Sequence, residues 1–329
     1  MSAAAGPSVW TRVADRLAHR EPATALALFR IGVGLSVLYT VVPIRRSGVL
    51  PLVWMDRAYG GFRPLDVHHW LIRFVGGPTD ASLMVLSGVA VLAGLLLVIG
   101  FGGRITALAT GQLMLGLFAI SPETSGGHDL LLSNALWLLV LSPSTATLSL
   151  DARLFGDDHA FFSPRPVAAW PRYVAIFQLV LVYTTTGMQK LGMEWMPWGH
   201  WTALYYALLT PSWQRYDTAW VPRLFPLTQV ATALTWLWEV GSPLWLLAYW
   251  YRATRDRPGR LRALCNRLDL RAALAIFGIL MHLGLWALMD LGPFSLVTLS
   301  FYACLWHPDE YARLWRRLRG LLRGLLRRP

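Results

Sequence analysis

Lys190 is the residue of this chain whose type most directly indicates chemistry. The chain has 30 Lys and Arg residues, and every one of the others is arginine. Arginine stays charged, whereas a lysine in a desolvated pocket can lose its proton and then act as a base or a nucleophile. The structural alternative is that Lys190 ends an apolar helix and reaches water at the membrane surface. Whether Lys190 is a base or an anchor therefore has to be judged from the residues around it.

A histidine is predicted to lie at the same membrane level as the lysine. His128 follows Ser125-Gly126-Gly127 in a short outer connection without Lys or Arg, and His128 and Asp129 open the next predicted helix. Glycines let a backbone approach a ligand closely. From the residues alone, Lys190 and His128 are therefore both predicted to lie at the outer membrane boundary, and Lys190 as a base and Lys190 as an anchor stay open.

Further polar residues fall within predicted apolar helices. Tyr183, Thr186 and Lys190 share one helix face and are predicted to line a pocket, although such hydroxyls often bond back to their own helix. Ionisable groups inside spans usually face a cavity or one another, so we expect Glu239 to contact His282 or Arg30, and Arg30 alternatively to act as an anchor. The predicted substrate- or cofactor-binding residues are Tyr183, Thr186, Trp195, Glu239, His282 and Arg30.

Other chemical signatures are missing from the sequence. There is no Walker loop, no GxGxxG motif opening a helix and no GxSxG motif. His68 and His69 have no carboxylate or cysteine at ligand spacing, so we predict no metal site. Cys265 and Cys304 fall in or near predicted inner segments, where a disulfide is not expected.

Composition indicates an all-α polytopic membrane protein. The 329 residues are 55% hydrophobic and only 15% charged. A net charge of +12 could indicate nucleic-acid binding, but apolar spans make the positive-inside rule the better explanation, and no nucleic-acid partner is predicted. No cleavable signal peptide is recognisable, so the first apolar segment is expected to remain in the mature chain.

About eight stretches are long and apolar enough to cross a bilayer core of ~30 Å. The predicted spans are 24–43, 81–100, 105–121, 129–149, 171–190, 227–250, 271–290 and 292–306. Two longer intervals, 44–80 and 191–226, are rich in Trp, Pro and Gly and are predicted to be outer interfacial or re-entrant segments.

The distribution of basic residues predicts the orientation. With a cytoplasmic N-terminus, 21 basic residues lie on the inner side and eight on the outer side. We expect a multi-pass protein of the plasma membrane with both termini cytoplasmic, organised as an N-terminal segment 1–23, a transmembrane domain 24–306 and a tail 307–329. The tail alternates Leu and Arg, which predicts a basic amphipathic helix on anionic inner-leaflet lipid.

Several short motifs resemble the vitamin K-dependent gamma-carboxylase family and the bacterial horizontally transferred transmembrane (HTTM) proteins grouped with it. The resemblance extends over roughly residues 20–310. The motifs are Phe29-Arg30-Ile-Gly32-Val-Gly34, Gly127-His128-Asp129, Leu141-Ser142-Pro143 with Leu148-Ser149-Leu150-Asp151, Thr186-Gly187-Met188-Gln189-Lys190-Leu191 with Glu194-Trp195, and Glu239 with Pro243.

The resemblance implies that Lys190 matches the base that deprotonates reduced vitamin K, and that His128 matches a histidine close to it. It thereby implies a reduced quinone, reaching Lys190 from the lipid, as the cofactor. Three features depart from the carboxylases. Gln189 replaces a second lysine, Gly192 replaces an acidic residue, and the chain ends soon after the eighth span, without the large extracytoplasmic domain. Carboxylation of a protein is therefore not expected.

Three functions remain open from the sequence. The first is a quinol-dependent membrane enzyme or redox partner with Lys190 as base. The second is a non-catalytic membrane accessory protein that binds lipid or quinone. The third is a small-molecule transporter that relays protons through Glu239 and His282, although no internal repeat of the transporter kind is visible.

Overall fold

The computed structural model describes residues 8–121, 126–163 and 165–326. Within these ranges the chain is predominantly helical and contains one two-stranded sheet. The chain divides into two compact units, the first formed by residues 1–175 with 303–329 and the second by residues 176–302. The ends of the predicted N-terminal segment and tail, residues 1–7 and 327–329, lie outside the described residues, as does Ser125.

The first unit contains the N-terminal helices and the C-terminal tail. Its helices are α1 (Val9–Ala18), α2 (Thr24–Arg46), α3 (Leu50–Trp54), α4 (Trp70–Phe74), α5 (Asp80–Ile99), α6 (Gly103–Ile120), α7 (Gly127–Leu141), α8 (Leu150–Phe155), the start of α9 (Trp170–Gln189) and α16 (Pro308–Leu326). Two short strands, β1 (Arg20–Pro22) and β2 (Pro166–Ala168), pair antiparallel.

The second unit begins within α9. It continues through α10 (Ala203–Leu209), α11 (Phe225–Val240), α12 (Leu244–Ala253), α13 (Arg260–Arg267), α14 (Leu270–Leu288) and α15 (Phe294–Tyr302). The interval between α9 and α11 contains, besides α10, short 3-10 helices at Met193–Trp195, Pro197–Gly199, Pro211–Trp213 and Val221–Leu224.

The core of the first unit depends on a close contact between α2 and α5. A Cβ atom added to Gly34 would lie 2.9 Å from the carbonyl oxygen of Gly94 and 2.9 Å from the backbone nitrogen of Val98. Real Cβ atoms do not approach backbone so closely, so only glycine permits this packing. Small residues that let helix backbones approach are typical of helix pairs in membranes.

A buried ion pair connects β1 with the start of α9. The Arg172 guanidinium donates from Nε to Glu21 Oε1 at 2.5 Å and from Nη2 to Oε2 at 2.9 Å. Its Nη1 donates to the carbonyl of Cys304 at 3.2 Å, which holds the start of the C-terminal segment in the same unit. Two parallel hydrogen bonds to one carboxylate are the geometry that arginine is suited to provide.

Among the residues that the structure describes, four helices have the length and composition to cross a membrane: α2, α5, α6 and α14. The apolar segments Gly127–Leu141 and Phe294–Leu305 are shorter. The predicted spans 24–43, 81–100, 105–121 and 271–290 thus correspond to helices that can span a bilayer. The remaining predicted spans coincide with helices that are shorter, interrupted or less apolar.

Two predicted spans end or break earlier than the sequence suggested. The span predicted at 129–149 ends as a helix at Leu141, because Pro143 disfavours the helical conformation of Ser142, which is extended. The span predicted at 227–250 is two helices, α11 and α12, interrupted at residues 241–243. Pro243 cannot donate a backbone hydrogen bond, which accounts for the break.

The predicted tryptophan-rich intervals consist of short helices. Trp54 is buried at the end of α3, whereas Trp70 and Trp198 are largely exposed. Both termini carry amphipathic helices with exposed apolar side chains, among them Trp10 on α1 and Trp315 on α16. The helix predicted for the tail is therefore present, and its contact with anionic lipid stays a prediction.

The contact between Gly34 and Gly94 predicts an unusual response to alanine. Alanine in place of a helical glycine normally stabilises by about 0.5–1 kcal/mol. We expect Gly34→Ala instead to destabilise the protein by about 1–3 kcal/mol, because the added methyl group clashes with the α5 backbone. Thermal unfolding of the purified protein in detergent measures the difference.

The matched control is Gly111→Ala in α6. Its added Cβ would meet Leu136 Cβ at 3.8 Å, an ordinary contact. Equal melting temperatures for the two variants would show that α2 and α5 do not pack as described.

Candidate functional site

Lys190 and Glu239 form an ion pair within the second unit. Lys190 Nζ lies 2.6 Å from Oε1 and 2.5 Å from Oε2 of Glu239. The Glu239 side chain is only 8% exposed, whereas that of Lys190 is 22% exposed. Lys190 follows the last residue of α9, and Glu239 is the second-last residue of α11, immediately before the break at residues 241–243. The chain thus brings an ammonium and a carboxylate together at two helix ends.

Gly187 allows this approach. A Cβ atom added to Gly187 would lie 2.9 Å from Glu239 Cβ and 2.9 Å from the backbone nitrogen of Val240. The absence of a side chain therefore lets the end of α9 rest directly on the end of α11. Lys190 comes three residues later, close to the same helix face, where its side chain can reach the carboxylate.

Trp195 covers the other side of the ammonium. Lys190 Nζ lies 4.2 Å from the centre of the Trp195 ring, within the range of a cation–π interaction. Trp195 belongs to the 3-10 helix Met193–Trp195, so the chain turns back over its own lysine after α9 ends. The predicted site residues Lys190, Trp195 and Glu239 are therefore in direct contact.

A buried hydrogen-bonded cluster lies in the same unit. The Tyr183 hydroxyl lies 2.7 Å from His282 Nε2 and 2.9 Å from the Tyr302 hydroxyl. Trp238 packs edge-to-face on Tyr183 at a centroid distance of 4.4 Å. Tyr183 and Lys190 are seven residues apart and share one helix face, and Trp238 precedes Glu239, so α9 and α11 each contribute to both the cluster and the ion pair.

Two expectations about partners differ from the structure. Glu239 pairs with Lys190, whereas His282 bonds to Tyr183. Thr186 is exposed, and its hydroxyl donates to the carbonyl of Val182, so the buried face of α9 passes through Gly187 rather than Thr186. The small residue packs inward and the hydroxyl bonds back to its own helix, while a role of Thr186 in ligand binding stays a prediction.

Arg30 has a structural environment in the first unit. The side chain is 1% exposed and donates to three backbone carbonyls, those of Leu97 at 2.9 Å, Ser144 at 2.6 Å and Leu148 at 2.5 Å. Gly100, in a left-handed conformation, leaves room for the guanidinium. Arg30 therefore satisfies carbonyls where α5 ends and in the segment after α7. This geometry supports the anchor interpretation, while ligand binding by Arg30 stays a prediction.

His128 opens α7 in the first unit. Its Nε2 lies 3.0 Å from Asp129 Oδ1, and Asp129 Oδ2 accepts a hydrogen bond from the backbone nitrogen of Gly126 at 3.0 Å. A side chain on Gly126 would collide with the His128 ring. The glycine thus makes room for the imidazole, and the cooperation of His128 with Lys190 stays a prediction.

The neighbouring histidines 68 and 69 have separate roles. His69 Nδ1 accepts from the backbone nitrogen of Leu71 and caps α4, and burial lowers the pKa of His69, which favours the neutral acceptor form. The exposed His68 lies 3.2 Å from Asp66. Within residues 8–121, 126–163 and 165–326, no three His, Cys, Asp or Glu side chains are grouped as a metal site requires.

A scan against protein-family models matches the HTTM domain over residues 19–206, more than half of the chain. The chain belongs to the HTTM domain family. Searches of curated proteins and of solved structures returned no match. The HTTM match includes Lys190, Trp195 and Tyr183, whereas Glu239 and His282 lie beyond its end. Membership in the family and the apolar helices together fit a membrane protein.

Sequence reasoning missed several residues of the site in this HTTM protein. Tyr302 and Trp238 complete the buried cluster, and Gly187 sets the distance between α9 and α11. Gly187 was visible as a single small residue before the lysine. The contribution of Tyr302 had no local signal, because it arises from packing between helices far apart in sequence.

The ion pair predicts a strongly coupled pair of mutations. Removing one partner of a buried pair leaves an uncompensated charge and costs about 3–5 kcal/mol when both groups are fully buried. Because Lys190 is partly exposed, we expect Lys190→Met and Glu239→Leu each to cost roughly 2 kcal/mol, and the double variant to cost less than their sum. Thermal unfolding provides the double-mutant cycle.

The pair of Arg215 and Asp290 is the control. These groups are 3.7 Å apart, and the Asp290 side chain is 63% exposed. We expect a coupling below about 1 kcal/mol for Arg215→Met and Asp290→Leu. Additive effects at Lys190 and Glu239 would contradict the described ion pair.

Proposed function

We propose that this HTTM protein is a multi-pass protein of the plasma membrane with about eight crossings and both termini cytoplasmic. Four helices among the described residues meet the length and composition of a span and support the proposal. In this proposal the interrupted α11–α12 segment is a further crossing. The excess of arginine in the segments assigned to the inner side supports the orientation. The amphipathic helix α16 lies on anionic inner-leaflet lipid in this arrangement.

Within the membrane, the Lys190–Glu239 pair is the acid–base centre of an enzyme that acts on a hydroxyl group of a lipid-soluble substrate. The observation that carries this proposal is the contact of both Glu239 oxygens with a half-buried lysine, at 2.5 Å and 2.6 Å. A lysine fixed to a proton acceptor can exchange its proton within the pair. An arginine used only as an anchor could not.

Burial determines which proton states the pair can reach. Desolvation weakens the advantage of the charged pair over a neutral amine facing a neutral carboxylic acid. In the neutral state the Lys190 amine takes a proton from a substrate hydroxyl, and the ammonium so formed holds the oxyanion. Glu239 keeps the lysine in position, and Trp195 shields one side of the ammonium from water.

The surroundings of Lys190 fit a reduced quinone. Met188, Leu191, Met193 and Trp198 are all more than 60% exposed, so the exposed surface near the lysine in sequence includes a large apolar part. A ring from the bilayer can lie on such a surface while its hydroxyl reaches Lys190 Nζ. When bound, a reduced quinone would supply two acidic hydroxyl groups and a source of electrons.

A relation to the vitamin K-dependent gamma-carboxylases is part of this proposal. It is supported by the motif around Lys190 and by His128, which would assist proton transfer. Gln189 and Gly192 depart from the carboxylase pattern, and carboxylation of a protein substrate is not proposed. Two alternatives stay open: a lipid- or quinone-binding accessory role, and a transporter using Glu239 and His282. The separate partners of Glu239 and His282 favour the acid–base centre over a direct relay.

The decisive variant is Lys190→Arg. Arginine retains the positive charge and the pair with Glu239 but cannot act as a base at neutral pH. In air-saturated nanodiscs supplied with reduced vitamin K, where dissolved dioxygen is the oxidant that accepts the electrons, we expect the wild-type protein to speed the oxidation of the hydroquinone and the variant to do so about 100-fold more slowly or worse. Hydroquinone fluorescence follows the reaction.

Arg215→Lys serves as a matched control, because it exchanges the same two residue types at a more exposed ion pair. Its turnover should equal that of the wild type. Melting temperatures establish that the Lys190→Arg variant is folded. Full turnover in a folded Lys190→Arg protein would exclude Lys190 as the base and favour the anchor interpretation.

A further inference from the structure

A cavity of about 710 Å³ lies in the first unit, and neither Lys190 nor Glu239 is among the residues that line it. It is bounded where three helices begin or end: Arg104 is the second residue of α6, Leu141 the last of α7 and Trp170 the first of α9. Phe155 and Val167 extend the apolar wall. The volume is in the range typical of small-molecule sites.

Three arginines and three aspartates line the cavity. Some of these charged groups already have hydrogen-bond or ion-pair partners, and others have few. Arg165 pairs with Asp157 at 3.6 Å, and Asp151 accepts from the backbone nitrogen of Gly102 at 3.0 Å. These groups have partners within the wall.

Arg104, Arg20 and Asp158 are less compensated. Arg104 is exposed and has no hydrogen bond or ion pair with a described residue, and Arg20 makes one bond to the carbonyl of Pro166 at 3.3 Å. Asp158 accepts one long bond, from the backbone nitrogen of Ala160 at 3.4 Å. Two cations and one anion that line the same cavity thus remain available to a ligand.

The position of the cavity indicates how such a ligand would be presented. Residues at the ends of apolar helices lie at the level of the lipid headgroups, whichever leaflet they face. An amphiphile at that level places its charged group against the arginines and its glycerol region against Leu141, Phe155 and Trp170. Basic pockets between membrane helices are a known mode of headgroup recognition.

We propose that this cavity binds a phospholipid headgroup that carries both a phosphate and a primary ammonium. Arg104 and Arg20 bind the phosphate, since guanidinium groups match phosphate oxygens with paired N–H donors. Asp158 accepts hydrogen bonds from the ammonium. A quaternary ammonium has no N–H to donate, and a glycerol headgroup has no positive charge, so both should bind more weakly.

The experiment uses the full chain, purified in detergent and depleted of lipid, with native mass spectrometry as the readout. Phosphatidylethanolamine, phosphatidylcholine and phosphatidylglycerol with identical acyl chains are compared, together with water-soluble glycerophosphoethanolamine. We expect phosphatidylethanolamine to bind most tightly and Arg104→Gln to weaken it at least about fivefold, the effect of losing one charged hydrogen bond. Asp158→Asn should remove the preference for phosphatidylethanolamine over phosphatidylcholine.

Arg223→Gln is the matched control, since it removes an exposed arginine of the 3-10 helix Val221–Leu224, outside the cavity, and reports the non-specific attraction of arginine for lipid phosphate. Because Arg104 is exposed, Arg104→Gln should unfold at the wild-type temperature. Equal lipid binding by the Arg104→Gln and Arg223→Gln variants would overturn the proposal, as would equal binding of the three lipids. If glycerophosphoethanolamine binds as tightly as the lipid, the claim that the ligand is a membrane lipid is overturned, and the site is assigned to a soluble phosphate ester.

Discussion

Buried cations constrain this chain, because an apolar helical protein gives them few acceptors and little water. Arg30 uses the backbone carbonyls of Leu97, Ser144 and Leu148. Arg172 uses the Glu21 carboxylate and the carbonyl of Cys304. In both cases the acceptors come from segments distant in sequence, so satisfying one guanidinium also fixes where several segments of the first unit meet.

Lys190 meets the same constraint differently. Its acceptor is a carboxylate, it remains 22% exposed, and an aromatic ring replaces further hydrogen bonds. An arginine at this position could bind Glu239 through two parallel bonds, as Arg172 binds Glu21. The chain thus uses arginine where five fixed donors organise helix ends, and lysine where a single ammonium faces a carboxylate beside an apolar surface. A structural anchor does not require lysine in place of arginine, whereas a proton-transferring group does.

The sequence predicted the helical class and the ends of several long helices, because apolar runs and their flanking residues are local signals. It also placed Tyr183, Lys190, Trp195, Glu239 and His282 among the site residues. It did not predict that α11 and α12 are separate helices: Pro243 was visible, but membrane helices often tolerate proline, so its effect depended on packing. The partner of Glu239 was also mispredicted because it depends on packing. Lys190 and Glu239 are 49 residues apart and meet only through the close contact at Gly187.

The HTTM match covers some residues of the candidate site and leaves others outside. The match ends at residue 206, so it contains Lys190, Trp195 and all the residues that line the cavity proposed to bind a phospholipid. Glu239, His282 and Tyr302 come from the following segment. The lysine therefore belongs to the family region, whereas its carboxylate partner is supplied by the α11 end outside it. Any chemistry proposed for Lys190 thus depends on α11 as much as on the lysine motif, because α11 supplies the group that holds the ammonium.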